Sequence, residues 1–197
     1  MENSVTNTTL LLNSYKELLE KRPLELGDEA TPLVEDNKSS IEVVDTLADA
    51  ELLSDAVKVL AHALSKPRAV WWASQVSRAS FPEGTVPTDD EEIALKAAED
   101  WVRKPEEDLR RAAMKIADDG GYKTAACLAA AAAGWSGGSM GSPEFDPAPP
   151  PENLTSIAVG SSIVLSVYDS NVEDPKEFLV KAFKLGRALA DNEIEAL

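Results

Sequence analysis

The sequence predicts an all-α protein that folds as a compact bundle of about seven helices. Apolar residues recur at spacings of three and four along most of the chain, which is the pattern of a helix with one buried face. No segment shows the alternation of apolar and polar residues that is typical of a half-buried strand. Hydrophobic residues make up 44% of the 197 positions, which is enough apolar material for a core.

The first 38 residues are predicted to be a separate segment, made of a short helix and an extended loop. Residues 10–21 can form the helix, and residues 22–38 are acidic and interrupted by proline and glycine, which favours a loop. Residues 39–197 are predicted to form the helical domain. The apolar side of the short helix carries Leu11, Tyr15, Leu18 and Leu19.

Five helices are predicted in the first part of this domain, each with a recognisable start or stop signal. Ser40 can cap the first helix, and Pro67 suits the first turn of the third, where a missing N–H costs nothing. Thr88 and Glu91 form a capping box at the start of the fourth. Gly120 and Gly121 end the fifth, since glycine adopts a left-handed helix end without strain. The five helices cover residues 40–48, 52–64, 67–79, 88–102 and 105–117.

Residues 122–135 and 154–169 are predicted to be the two central helices, because each is apolar or small on nearly every side. Residues 136–153 between them are rich in glycine and proline and predict a long loop. Asp174 and Pro175 then start the last helix, which runs to about residue 190. The core-facing track of the second central helix is predicted to be Leu154, Ile157, Ala158, Ser161, Val164, Leu165 and Tyr168.

Short turns join the helices between residues 50 and 133, which predicts antiparallel helical pairs. Such pairs could stack as they do in helical-repeat proteins. The chain carries no residue-level repeat, however, which favours the compact bundle over the stack.

The charge of the chain narrows the classes of partner. There are 35 Asp and Glu residues against 19 Lys and Arg, so the formal net charge is −16. This excess repels nucleic-acid phosphates and anionic lipids and could steer a basic protein, so we expect a protein partner and neither nucleic acid nor a membrane. No apolar run has the length of a membrane span, no signal-peptide pattern is present and Cys127 is the one cysteine, so we expect a cytoplasmic protein. The sequence does not indicate an oligomeric state.

One segment matches the hydrolase motif G-x-S-x-G, with Ser136 in the place of the nucleophile. That motif requires a strand before the serine and a histidine after it. Here an alanine-rich helix precedes Ser136, and the single histidine, His62, lies upstream. The same loop lacks the lysine of a phosphate-binding P-loop, and the acidic run at 89–92 lacks the spacing of a calcium loop. We therefore predict no catalytic, cofactor-binding or metal-binding residue.

The aromatic residues are candidates either for the core or for an exposed anchor that a protein partner binds. Trp71 and Trp72 are adjacent on a helix and point about 100° apart, so at least one should reach a contact between helices. Core packing is favoured for the four tryptophans, and an exposed anchor is the alternative. The residues that we predict as partner-binding are Trp72, Trp135, Ser136 and Phe145.

Several short segments resemble a bacterial family of unknown function, over roughly residues 40–190. The most specific are the pair Trp71-Trp72 and the run Trp135-Ser136-Gly137-Gly138-Ser139, which precedes a proline-rich loop. Members of the family occur near the genes of type VI secretion systems, so the resemblance implies a cytoplasmic accessory, adaptor or effector chaperone. It implies no activity and no functional residues. The other matching segments are residues 55–57, 60–64, 67–73, 98–102 and 110–114.

The expected function is a non-enzymatic protein-interaction module, an adaptor or effector chaperone associated with type VI secretion. The alternative is an acidic immunity protein that neutralises a basic toxin. A hydrolase that uses Ser136 is a third class, which the flanking sequence of the motif disfavours.

Overall fold

The computed structural model describes residues 12–141, 147–169 and 171–196. These residues form nine α-helices and no strand, which confirms the all-α prediction. The nine helices correspond to the helical segments assigned one by one from the sequence, whereas the estimate of about seven was too low. No helix in this part of the chain is long and apolar enough to cross a membrane. The helices are α1 (Tyr15–Lys21), α2 (Ser40–Asp49), α3 (Leu53–Ala63), α4 (Lys66–Ala79), α5 (Asp89–Arg103), α6 (Glu107–Asp119), α7 (Ala125–Gly134), α8 (Leu154–Val167) and α9 (Pro175–Ala190).

Capping side chains fix where several helices begin. Thr88 and Glu91 form the predicted capping box of α5, in which each side chain hydrogen-bonds the other residue's backbone N–H. Helix α2 has the same device one residue earlier than predicted, because Ser39 and Glu42 make the reciprocal bonds. Ser40, the predicted cap, is instead buried, and its Oγ donates to the Leu12 carbonyl at 2.7 Å.

Helix α7 is the centre of the bundle, as predicted. All of its residues except Leu128 are buried, and it packs against α4, α5, α6 and α8. At its C-terminal end, a Cβ atom on Gly134 would lie 2.8 Å from the Cα atom of Met114 on α6. The small residues of α7 therefore let several helices approach its backbone closely.

Helix α8 turns the opposite side to the core from the one predicted. The sequence predicts Ile157, Leu165 and Tyr168 inside, but they are 45%, 39% and 69% exposed. The buried side carries Val159 and Ile163 together with hydroxyl-bearing residues, among them Ser162, whose Oγ donates to the Ala125 carbonyl of α7 at 2.8 Å. Because such a hydroxyl is satisfied by a backbone carbonyl, it can lie in the interior at little cost.

The N-terminal segment packs onto the helical domain. Leu12, Tyr15 and Leu18 are buried in the common core. Arg22 is only 1% exposed, and its Nη1 donates to the carbonyl oxygens of His62 and Leu64 at 2.8 and 3.0 Å. Those carbonyls belong to the C-terminal end of α3, where a cation is favourable. The boundary between residues 38 and 39 stays a prediction.

Candidate functional site

An open groove of about 900 Å³ lies between α8, α3 and the loop that follows α1. We call it the α8 groove, because α8 contributes more residues to it than any other element. Its lining is mostly apolar. The residues that define it are Leu24, His62, Leu128, Gly160, Val164 and Tyr168.

The α8 side of the groove is an apolar face that no other helix covers. Ile157, Leu165 and Tyr168 line the groove and are among the most exposed large hydrophobic side chains of the described residues. They are spaced by eight and three residues, so they lie along one face of the helix. A contiguous exposed apolar face of this kind is a candidate docking surface.

Gly160 forms part of the bottom of the groove. The residue is buried, yet a Cβ atom built on it would meet no atom within 4 Å. A residue that has low solvent exposure and free space beside its Cα atom lies at the floor of a cleft. The groove therefore owes part of its depth to the missing side chain of Gly160.

Hydrogen bonds hold the loop wall of the groove in place from both sides. Asn153, the residue before α8, donates from Nδ2 to the Pro23 carbonyl at 2.8 Å. Gly27 N–H donates to the carboxylate of Asp55 on α3 at 3.1 Å. With Arg22 bound to the end of α3, the wall formed by residues 23–25 is fixed to both helices that it faces.

His62 lines the groove and is the one histidine of the chain. It is 3% exposed, and its Nδ1 lies 2.8 Å from the carbonyl oxygen of Lys58 in the preceding turn. Burial lowers the pKa of His62 to about 4, against the raising effect of that hydrogen bond and with a smaller lowering effect from the Arg22 charge. The ring is therefore neutral at pH 7. Its Nε2 atom is buried and has no hydrogen-bond partner within the described residues.

A second open groove, of about 760 Å³, continues the apolar surface beyond the C-terminal end of α8. Tyr168 lines both grooves. The second groove lies between the α2–α3 corner and α9, and its apolar residues include Leu53, Leu179 and Phe183. The two adjoining grooves together form a surface depression longer than α8 alone.

Trp72, which the sequence predicts as partner-binding, is a core residue. It is fully buried, and its Nε1 donates to the Ala182 carbonyl of α9 at 2.8 Å. A Cβ atom on Gly186 would lie under 3.0 Å from three carbons of the indole, so the glycine makes room for the ring. Trp72 joins α4 to α9 and is not accessible to a partner.

Trp135 and Ser136, two further predicted contact residues, follow the end of α7 and do not line the α8 groove. Trp135 is half-buried and stacks on Tyr122, with ring centroids 5.3 Å apart. Ser136 is half-buried, and its carbonyl oxygen accepts a hydrogen bond from Lys66 Nζ at 2.8 Å. Neither ring nitrogen of His62 bonds to Ser136. Phe145 lies outside the described residues.

None of the described residues predicted from the sequence to bind a partner lines the α8 groove. A signal was present, because Val159, Ile163 and Val167 recur at a spacing of four on the side of α8 that is buried. Periodicity alone could not assign the buried side, since both sides lack charge. Among the described residues, no group of three or more His, Cys, Asp or Glu side chains could hold a metal ion.

The helical domain also matches a known protein family. A model described as a family of unknown function, DUF6931, covers residues 43–190, well over half of the chain. The chain belongs to this family. No curated protein and no solved structure matches it. In this DUF6931 member, α3, α7 and α8 supply groove residues from within the matched region, whereas the wall at residues 23–25 precedes it.

Two of the segments that resemble the family, residues 110–114 and 135–139, are in contact in this DUF6931 protein. Arg110 is 3% exposed, and its guanidinium donates to the carbonyl oxygens of Gly134 and Ser139. Glu107 accepts two further bonds from the same guanidinium, at 2.7 and 2.8 Å. These bonds hold the end of α7 and the following loop against α6. The hydrolase-like motif is therefore the site of a structural clamp that follows a helix.

Proposed function

We propose that this DUF6931 protein is a non-enzymatic protein-interaction module that binds a partner protein in the α8 groove. The observation that carries the proposal is the outer face of α8, which presents Ile157, Leu165 and Tyr168 to solvent along the groove. A surface helix normally turns a polar side to water. An apolar face in water is more stable when another apolar surface covers it.

The partner that fits this surface is an amphipathic helix with basic residues near its ends. Ile157 and Tyr168 are separated by about 16 Å along α8, so a guest of about three helical turns can cover the face. Helix-in-groove binding supplies apolar side chains at helical spacing. The net charge of −16 attracts a basic partner and opposes pairing with a second copy of this acidic chain.

The biological setting that we propose rests on the family resemblance. The resemblance described in the sequence analysis implies gene neighbourhoods of type VI secretion systems, and on that basis we propose the role of a cytoplasmic adaptor or effector chaperone in bacteria. A secreted effector, or a secretion component with an amphipathic basic helix, is the corresponding partner.

The proposal can be tested by photo-crosslinking from defined positions in the native host. A photoreactive amino acid replaces Leu165 in the groove or Val86, which is 83% exposed and lies outside both grooves. We expect a specific adduct from position 165 and not from position 86. The partner identified in that way is then purified and its affinity for the protein is measured.

Two glycine variants decide whether the partner occupies the groove. Gly160→Leu fills the groove floor, whereas Gly137→Leu adds the same side chain to the loop beside Trp135, where there is also free space. We expect Gly160→Leu to weaken binding at least about tenfold and Gly137→Leu to bind like the wild type, because an overfilled groove excludes an anchor side chain. Equal binding by wild type and Gly160→Leu refutes the groove as the docking site. A loss in Gly137→Leu alone places the site at the loop.

Co-expression separates the two roles that the sequence leaves open. A chaperone raises the level and secretion of its partner, whereas an immunity protein rescues cells from a toxic partner. Rescue from toxicity without any effect on partner level would replace the adaptor role by the immunity role.

A further inference from the structure

His62 is a buried polar group for which the fold supplies only half of the hydrogen bonds. Its Nδ1 lies 2.8 Å from the Lys58 carbonyl oxygen, which can only accept. Nδ1 therefore carries the proton, and Nε2 of the neutral ring is left as an acceptor. That acceptor is buried and has no partner within the described residues.

His62 lines the α8 groove together with Gly160, beside which there is free space, so its unused acceptor belongs to the wall of the space that a guest would enter. Other polar groups of the lining, such as the hydroxyl of Ser161, belong to exposed residues that water can reach, and the buried Ser156 is not among the side chains that lack a hydrogen-bond partner. Nε2 of His62 is different, because a buried acceptor without a partner is costly and gains from a donor that arrives with the guest.

The surroundings of His62 select the kind of donor. The guanidinium of Arg22 bonds to the His62 carbonyl and pairs with Glu152 at 3.3 Å, so a positive charge that is partly offset lies near the ring. What remains of that charge disfavours an ammonium or guanidinium guest at this point. The apolar walls, Leu24, Leu128 and Val164, favour a guest group with a large apolar body. An indole N–H or a phenol O–H combines both requirements.

We infer that His62 determines the specificity of the α8 groove, by accepting at Nε2 a hydrogen bond from a tryptophan or tyrosine side chain of the docked segment. This inference rests on the proposed function and names the anchor of the same site. The basic residues of the guest then lie toward the ends of its helix, and the neutral aromatic anchor lies at the groove floor.

Matched small probes test the inference without knowledge of the partner. Indole and 1-methylindole have nearly the same apolar body, but only indole carries an N–H donor, and phenol and anisole form a second pair. Each probe is titrated into the isotope-labelled full-length protein, and amide resonances of α8 and the ring ¹⁵N resonances of His62 are followed by NMR. We expect indole to bind about three- to tenfold more tightly than 1-methylindole, the effect of one hydrogen bond. Only indole and phenol should move the Nε2 resonance upfield.

Two substitutions at His62 and one control complete the test. In His62→Phe the preference for indole over 1-methylindole should disappear, while both still bind. His62→Gln restores a polar side chain and provides a second variant if the phenylalanine protein does not fold. Gly160→Leu should weaken all four probes alike.

The outcomes separate this inference from the proposed function. Equal affinity of wild type for the two probes of each pair, or probe binding that leaves the α8 resonances unchanged, overturns the role of His62. Partner crosslinking from position 165 can still succeed in either case. If crosslinking fails while the indole preference is found, the groove binds a small aromatic ligand and the protein-docking function is refuted.

Discussion

The burial of His62 predicts a loss of stability below neutral pH. The folded protein holds the pKa of His62 at about 4, and the ordinary value is 6.5. Between these two values the unfolded chain binds a proton at this ring and the folded chain does not. The free energy of unfolding therefore falls as pH is lowered from about 6.5 toward 4, and this contribution is fully present only above the unfolded pKa.

The magnitude follows from the difference between the two pKa values. Integrated over the whole range, it amounts to about 3 kcal/mol, of which about 2 kcal/mol falls between pH 7 and pH 5. No reduction for solvent screening is needed, because the side chain is 3% exposed. A contribution of about 2 kcal/mol is a large fraction of the stability of an ordinary domain.

The assay is urea unfolding of wild type and His62→Gln at pH 7 and pH 5, followed by circular dichroism. Carboxylates such as Glu42, whose pKa is lowered by its hydrogen bonds to Ser39, titrate in both proteins and cancel in the comparison. We expect wild type to lose about 2 kcal/mol more than His62→Gln between the two pH values. Equal losses in the two proteins would refute the claim that His62 is held neutral in the fold.

Three further predictions concern the packing that surrounds the site. Gly160→Ala should raise the free energy of unfolding by up to about 1 kcal/mol, because alanine has the higher helix propensity and its Cβ enters free space. Gly186→Ala should lower the free energy of unfolding by about 2 kcal/mol, because the added Cβ overlaps the Trp72 ring. Trp72→Phe should cost about 2 kcal/mol, because it removes the indole N–H from the Ala182 carbonyl and leaves a cavity. Arg110→Met should cost about 3 kcal/mol, because it leaves the buried carbonyls of the clamp without a donor. Each value is measured by urea unfolding at pH 7.

These three predictions carry their own controls. The two glycine variants make the same chemical change in two helices, so a difference in sign isolates the contact with Trp72. A stabilised Gly186→Ala protein would contradict the packing of α4 on α9. An Arg110→Met protein as stable as the wild type would show that the clamp between α6 and the loop contributes nothing.

Much of the fold is readable from the sequence because its signals are local. The capping box at Thr88 and Glu91 and the Asp174-Pro175 start of α9 depend on residues within one helical turn. The central position of α7 is also readable, because its run of alanine leaves no polar side to face water. In each case the residues that decide the structure are neighbours in the chain.

The burial of Trp72 could not be predicted from its neighbours in the chain. The sequence indicates that Trp71 and Trp72 cannot face the same way, but not which of them is buried. Gly186 decides this, because its missing side chain opens a space on α9 that the Trp72 indole fills. That residue is more than a hundred positions away, so only the packing of α4 against α9 reveals it.

The candidate site was decided by tertiary structure for the same reason. The sequence determined that α8 is a helix without charge, a chain segment that is compatible with burial on either side. Contact with α7 decided which side is inside, because the closely approaching alanine surface accommodates Ser162, whose hydroxyl bonds to the Ala125 carbonyl. Ile163 and Val159 pack inward on the same side as Ser162, whereas Leu165 and Tyr168 lie on the outer side, where they line the groove. The periodicity of the sequence identifies the two sides of a helix. Only packing against the neighbouring helix determines which of those sides is exposed to solvent or to a partner.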